Sequence, residues 1–211
     1  MAIIRQGILG GVSGRIASVI GTSWKGRAVL RSRPLSVANP RTTAQVNQRN
    51  RFKTLSDIGG QLLSSIVKPL NDRFSGNISG FNSFISRNRN AFNPSNELAP
   101  LSISISRGQM NAPVMLPADW IGQNVTIKWD ATITDAFANA NDRVFLAIIG
   151  TNVNGNTGTF GYSDIAVRSD GQFTLFNPKF ENVAWKDVAW HLAFLRQDGT
   201  VVSNSIAFIP S

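Results

Sequence analysis

The sequence predicts an α+β protein: a basic N-terminal β-hairpin and helices, followed by an antiparallel β-sandwich. Three observations carry that expectation. Charge divides the chain, because residues 1–91 hold 14 Lys and Arg against Asp57 and Asp72 alone, whereas residues 92–211 hold 7 against 10 acids. Apolar residues recur at helical spacing between Arg41 and Val67. Beyond Pro100 the period changes to two, and Asp-Gly pairs punctuate it. The expected organisation is a hairpin-and-helix region over 1–92, a linker over 93–100 and a sandwich domain over 101–211.

Residues 1–13 are apolar and glycine-rich. Ile3, Ile4, Ile8 and Leu9 are too few to build a core, so this stretch fits a frayed terminus or a peptide that docks on a neighbour. A hairpin is expected over 14–33. Ile16, Val19 and Ile20 stand before Gly21-Thr22-Ser23-Trp24-Lys25-Gly26, and Ala28, Val29 and Leu30 stand after it. Arg27, Arg31 and Arg33 fall at odd positions of the second arm, which places them on one face. An isolated two-stranded hairpin is marginal in water, so this one must lean on something else.

Asn39-Pro40 reads as a helix start, an N-cap followed by a residue whose missing N–H has no partner there in any case. The helix then carries Val46, Phe52, Leu55, Ile58, Leu62, Leu63 and Ile66 as its apolar stripe, with Arg41, Arg49, Arg51 and Lys53 in its first half. Gly59-Gly60 is expected to weaken or split it, and Pro69 to close or kink it. A second helix is expected over Phe81 to Phe92. Arg87 and Arg89 sit near its C-terminal end, where the helix dipole favours cations.

In the second half, Leu101, Ile103 and Ile105 alternate with Ser102, Ser104 and Ser106 as a half-buried strand. Further strands are expected at 124–133, 143–150, 159–168, 171–176, 188–196 and 200–209, with turns at Asp170-Gly171 and Asp198-Gly199. No helical crossover separates them, so the sheets should be antiparallel and the sandwich immunoglobulin-like. Trp120, Trp129, Trp185 and Trp190 are expected in or against its core.

The composition leaves little room for catalysis. With no Cys there is neither a disulfide nor a thiolate nucleophile, and the single His191, between Trp190 and Leu192, reads as a packed or surface ring rather than a base. The segment Gly21 to Gly26 lacks the Lys-Ser/Thr pair of a phosphate loop. Asp130, Asp135, Asn139, Asn141 and Asp142 miss the regular spacing of a calcium loop and read as a solvated connection. Glu97 and Glu181 are the only Glu residues, so no pair of placed carboxylates stands out for glycoside chemistry. The expectation is a non-enzymatic chain with no cofactor and no metal. The apolar run Val144 to Ile149 is too short to span a membrane, and the glycines and Arg15 interrupt any leader-like start. The chain reads as made and kept in the cytoplasm or packaged there.

Several motifs resemble a family. Gly10-Gly11-Val12-Ser13-Gly14-Arg15-Ile16, Ser23-Trp24-Lys25-Gly26, Arg31-Ser32-Arg33-Pro34 and Asn39-Pro40-Arg41-Thr42 with Gln45, Arg49 and Phe52 resemble a family of uncharacterised proteins of Bacteroidetes and their phages. The ending Leu192-Ala193-Phe194, Asp198-Gly199 and Val202-Ser203-Asn204-Ser205 is similar to that family's C-terminal β-domain. The resemblance implies association with phages and supplies no catalytic residues.

The net charge of +9 favours acidic partners. The residues expected to bind nucleic acid or neighbouring subunits are Arg15, Trp24, Lys25, Arg27, Arg31, Arg33, Arg41, Arg49, Arg51 and Lys53. Arginines fork onto phosphate and also hold subunits together. Three roles follow as expectations. The first is a virion structural protein, capsid- or tail-associated, working as an oligomer within an assembly and reaching the genome. The second is a soluble nucleic-acid-binding protein of replication or packaging. The third is an adhesion module that holds a glycan through loops such as 151–158.

Overall fold

The structure is a computed structural model that describes residues 3–4, 11–36, 41–121, 124–133, 135–152, 157–176 and 185–209. The chain divides into two compact units, Met1–Thr42 and Thr43–Ser211. The expected N-cap at Asn39-Pro40 lies outside the described residues, as do positions 153–156 of the 151–158 loop.

The first unit is a four-stranded antiparallel sheet in the order β1(Ile3–Ile4)-β2(Val12–Ile16)-β3(Val19–Trp24)-β4(Arg27–Ser32). The expected hairpin is therefore part of a larger meander. Its turn is also tighter than expected. Lys25 and Gly26 alone connect β3 to β4, with φ of 48° and 78°. Positive φ at both central residues makes a primed turn, whose twist matches the strands it joins. Gly21 to Trp24, expected in the loop, instead continue β3.

The second unit has three layers. A helical layer holds α1(Thr43–Gln61), a π-helical turn over Leu63–Val67, α2(Lys68–Asn71) and α3(Gly80–Asn88). The middle layer is an antiparallel sheet, β11(Ile206–Phe208)-β10(Trp185–Leu195)-β7(Arg143–Asn152)-β8(Thr157–Tyr162). The outer layer is β5(Met115–Ile121)-β6(Asn124–Trp129)-β9(Gln172–Phe176). The whole is a mixed α+β fold with antiparallel sheets.

The middle sheet works on both faces. Phe145, Ala147 and Ile149 of β7 join Leu55, Ile58, Leu62, Ile66, Leu70 and Phe84 in one core, while Val144, Leu146 and Ile148 join Ile127, Trp129, Leu175, Trp190 and Phe194 in the other. A strand covered on both sides needs apolar residues at every position, which is why Val144 to Ile149 runs unbroken. The first core includes residues 55–85, so the helices are not part of a separate N-terminal domain. The divide expected at 93–100 lies instead after Thr42.

Other expectations shift for local reasons. Helix α1 passes through Gly59-Gly60 intact. A methyl group at Gly59 would come within 3.0 Å of the Phe81 ring and 3.2 Å of Phe84, so glycine here lets α1 and α3 approach closely. Pro69 falls in the first turn of α2, where it removes no needed donor. Ser79 caps α3 by accepting the Asn82 N–H at 3.2 Å.

The expected strand at 101–106 does not form. A short 3-10 turn covers Pro100–Ser102, and the extended residues after it bond to side chains rather than to a ladder. Asn88 accepts the Ser104 N–H at 2.8 Å and donates to the Ser104 carbonyl at 3.0 Å; Asn71 donates to the Ile105 carbonyl at 3.0 Å; and the Ser205 hydroxyl accepts the Ile105 N–H at 3.0 Å. Side-chain amides thus satisfy a buried backbone that has no neighbouring strand. Ile103 and Ile105 are still buried, as the alternation implied. Strand β5 was not foreseen, because Pro117 interrupts its pattern.

Candidate docking surface

The sequence-predicted binding residues fall in two places. Arg15, Trp24, Lys25, Arg27, Arg31 and Arg33 belong to the first unit, and Arg41, despite its proximity to α1, belongs with them. Arg49, Arg51 and Lys53 lie on α1.

Register assigns the faces of the first unit. Cross-strand partners share a face, and the pairs Arg15↔Ile20, Ile20↔Arg31, Thr22↔Val29 and Trp24↔Arg27 therefore put Arg15, Arg31 and Arg27 together with Trp24. Ile20 and Val29 sit among them. The opposite face carries Ile16, Val19, Ala28 and Leu30 and no charge. Arg33 follows β4, and its N–H bonds the Ser18 carbonyl at 2.6 Å. All six residues of β4 are exposed, and Trp24 is 63% exposed. The Lys25 ammonium rests 5.0 Å from the Trp24 ring centroid, so the indole already carries one cation over its face. Met1–Thr42 holds seven Lys and Arg and no Asp or Glu, so no acid within the unit neutralises them.

The first three turns of α1 behave differently from the rest of that helix. Arg49 and Lys53 are exposed, and Phe52, expected in the apolar stripe, is 58% exposed. Burial begins only at Leu55. Arg51 is tied to the body, donating to the Asn96 side chain with its guanidinium 5.5 Å from the Phe92 ring centroid. It anchors the helix rather than facing outward.

Arg168, Asp142 and His191 are among the buried polar groups of the body. Arg168 is 6% exposed; its Nε bonds Asp142 at 3.1 Å, and its guanidinium lies 3.9 Å from the Phe194 ring centroid. Its carbonyl accepts the Trp129 indole N–H at 2.8 Å. Asp142, read from sequence as part of a solvated loop, is thus an interior partner. The signal that would have found it is the sandwich core itself: an Arg whose neighbours Val167 and Trp129 must pack needs an acid within reach. His191 is fully buried on the helix-facing side of β10, between Ala147 and Ala207 on the adjacent strands. Burial pulls its pKa from 6.5 down to about 4, and the Pro100 backbone opposes this only weakly, without forming a hydrogen bond of ordinary geometry to either ring nitrogen. The His is packed rather than on the surface, the two placements its sequence left open.

Trp129 and Trp190 are core residues, 1% and 2% exposed, while the Trp120 and Trp185 side chains lie outside the described residues. Among the described residues no group of three or more His, Asp or Glu could hold a metal ion, and no helix is long and apolar enough to cross a membrane.

Residues 11–209 match the family of unknown function DUF6266. A comparison with curated proteins finds no match.

Proposed function

We propose that this chain, which belongs to the DUF6266 family of unknown function, is a non-enzymatic structural protein of a phage particle, with a layered body that carries a cationic docking sheet. The observation that supports it most is the first unit. The span Met1–Thr42 holds seven cations and no acid, and its sheet exposes apolar residues on both faces, so the sheet has no interior of its own. Such a surface becomes stable against a partner. The phage setting comes from the resemblance of the N-terminal and C-terminal motifs, as does a virion location after assembly in the host cytoplasm. Copies of the body would stand as rigid modules, with the sheet seated among neighbouring capsid or tail subunits.

We also read the sandwich as immunoglobulin-like. Its support is the strand order, β5-β6-β9 facing β11-β10-β7-β8, with consecutive strands shared between two antiparallel sheets.

Particles of the encoding phage, purified and quantified by mass spectrometry, should contain the chain in many copies. Particles without it end the proposal. A second reading, nucleic-acid binding, is favoured by the exposed Trp24 beside Arg27 on the cationic face. It requires binding of single-stranded DNA or RNA that falls steeply with salt, and a flat salt response removes it.

A further inference from the structure

One end of the sandwich mirrors the cationic sheet in sign and in pattern. Residues 111–114, 130–133, 135–142 and 168–171 form one connected surface there. The Asp130 N–H bonds the Val114 carbonyl at 2.9 Å, the Trp129 N–H bonds the Gly171 carbonyl at 2.9 Å, the Ser169 N–H bonds the Ala140 carbonyl at 3.0 Å, and the Asn111 N–H bonds the Asp135 carboxylate at 2.6 Å. Asp130 and Asp170 are exposed and Asp135 half-exposed. Between them stand three apolar side chains, Val114, Ile133 and Phe137, at 61%, 50% and 42% exposure.

The bases on and beside this end are already engaged. Arg168 is buried on Asp142, Lys128 lies 2.6 Å from Asp119, and Arg143 lies 3.7 Å from Asp164. Among the described residues Asp130 and Asp170 have no ion-pair partner, and Asp135 feels only the field of Arg168, whose guanidinium is already bonded to Asp142. Hydrogen bonds from Thr132 to Asp130, and from Phe137 and Asn111 to Asp135, hold both carboxyls below their ordinary range and keep them ionised.

We propose that this acidic, apolar end receives the cationic sheet of a second copy of the chain, with Arg27, Val29 and Arg31 of one molecule set against Asp130, Ile133 and Asp135 of the next. Charge alone would suit a phosphate backbone equally well. The apolar residues decide for protein, because Ile20 and Val29 lie among the arginines, and a phosphate backbone offers them no apolar counterpart. The sandwich end offers acids and apolar groups together. Each copy carries one sheet and one end, so the contact is head-to-tail, and its angle sets whether it closes into a ring or runs on as a filament. The inference rests on the docking role given above to the sheet, and it identifies the partner.

Sedimentation velocity of the full chain, over a concentration series at low and high salt, tests it. Self-association that weakens with salt is expected. Arg27→Glu with Arg31→Glu, and separately Asp130→Lys with Asp135→Lys, should each weaken it on the order of a hundredfold, since like charges then face one another. Mixing the two variants should restore salt-sensitive association, because the unaltered sheet of one meets the unaltered end of the other and the Glu-bearing sheet again faces an opposite charge on the Lys-bearing end. Asp130→Asn with Asp135→Asn keeps the turn acceptors and removes the charge; it should weaken association roughly tenfold and guards against a folding defect in the Lys variants. A wild-type chain that stays monomeric at every concentration overturns the inference. So does association indifferent to the Asp130 and Asp135 changes, or a mixture that stays monomeric. Particles that contain the chain while its self-association ignores these charges would leave the structural role standing and remove only the head-to-tail partner.

Discussion

Sheet β1–β4 and sheet β11-β10-β7-β8 have the same number of antiparallel strands and differ in what covers them. The central strand β7 is buried on both faces, with Phe145 and Ala147 against helices and Val144 and Leu146 against the second sheet. In the first unit, Gly21 is the only described residue that is buried. Its strands contain apolar residues too, on the uncharged face as well as among the arginines, but the described residues of the unit supply no second layer to cover either face. The contrast teaches where each sheet finds its stability: the body within its own layers, and the N-terminal sheet in what it meets.

Five measurements test this difference between the two sheets. Phe145→Ala should destabilise the body most, by about 3–5 kcal/mol in chemical denaturation, because it opens a cavity between sheet and helices. Acid should come next. The folded pKa of His191 is below its unfolded value, so the unfolded chain binds the proton first; stability present above about 6.5 is lost as the pH falls toward about 4. At about 1.4 kcal/mol per unit this amounts to about 3 kcal/mol, and His191→Met should flatten denaturation midpoints across that window. If the histidine variant shows the same acid loss, another group is responsible. Asn88→Ala should cost about 1–3 kcal/mol by leaving the Ser104 backbone unpaired, again read by denaturation. Ser79→Ala should cost about 1 kcal/mol through the lost α3 cap, seen as a small drop in thermal midpoint. Leu30→Ala should change the stability of the N-terminal sheet by less than about 0.5 kcal/mol in chemical denaturation, since Leu30 is 63% exposed. A loss of about 2 kcal/mol there would mean that the N-terminal sheet has a packed interior after all.

Much of the body was legible because its signals are local. Alternation located most of the strands, and Gly171 and Gly199 do adopt positive φ, 68° at each. The turn at Gly171 follows a 3-10 turn into β9, so it is not the two-residue hairpin the Asp-Gly pair suggested. The layering was not legible, although the unbroken run from Val144 to Ile149 encodes it: a strand apolar on both faces needs two partners, and the helices of residues 43–88 are the second. The segment 103–106 misled because an alternating pattern reports burial and not pairing. On the candidate surface, period two correctly placed Arg27 and Arg31 on one face, and register added Arg15 and Trp24. Sequence spacing could not show that Arg51 turns inward to Asn96 and Phe92, because those partners are more than 40 residues away.

The bonds between residues 104–106 and 203–205 bear on how the body folds. The Ser205 hydroxyl meets the Ile105 N–H, and the Ser106 hydroxyl meets the Ser203 carbonyl at 2.8 Å. These contacts span roughly a hundred positions of chain, so on a ribosome the 104–106 segment can be joined to 203–205 only after position 205 has emerged. Until then the apolar sides of α1 and β7 are covered only in part, and a nascent chain paused shortly before position 203 should be protease-sensitive.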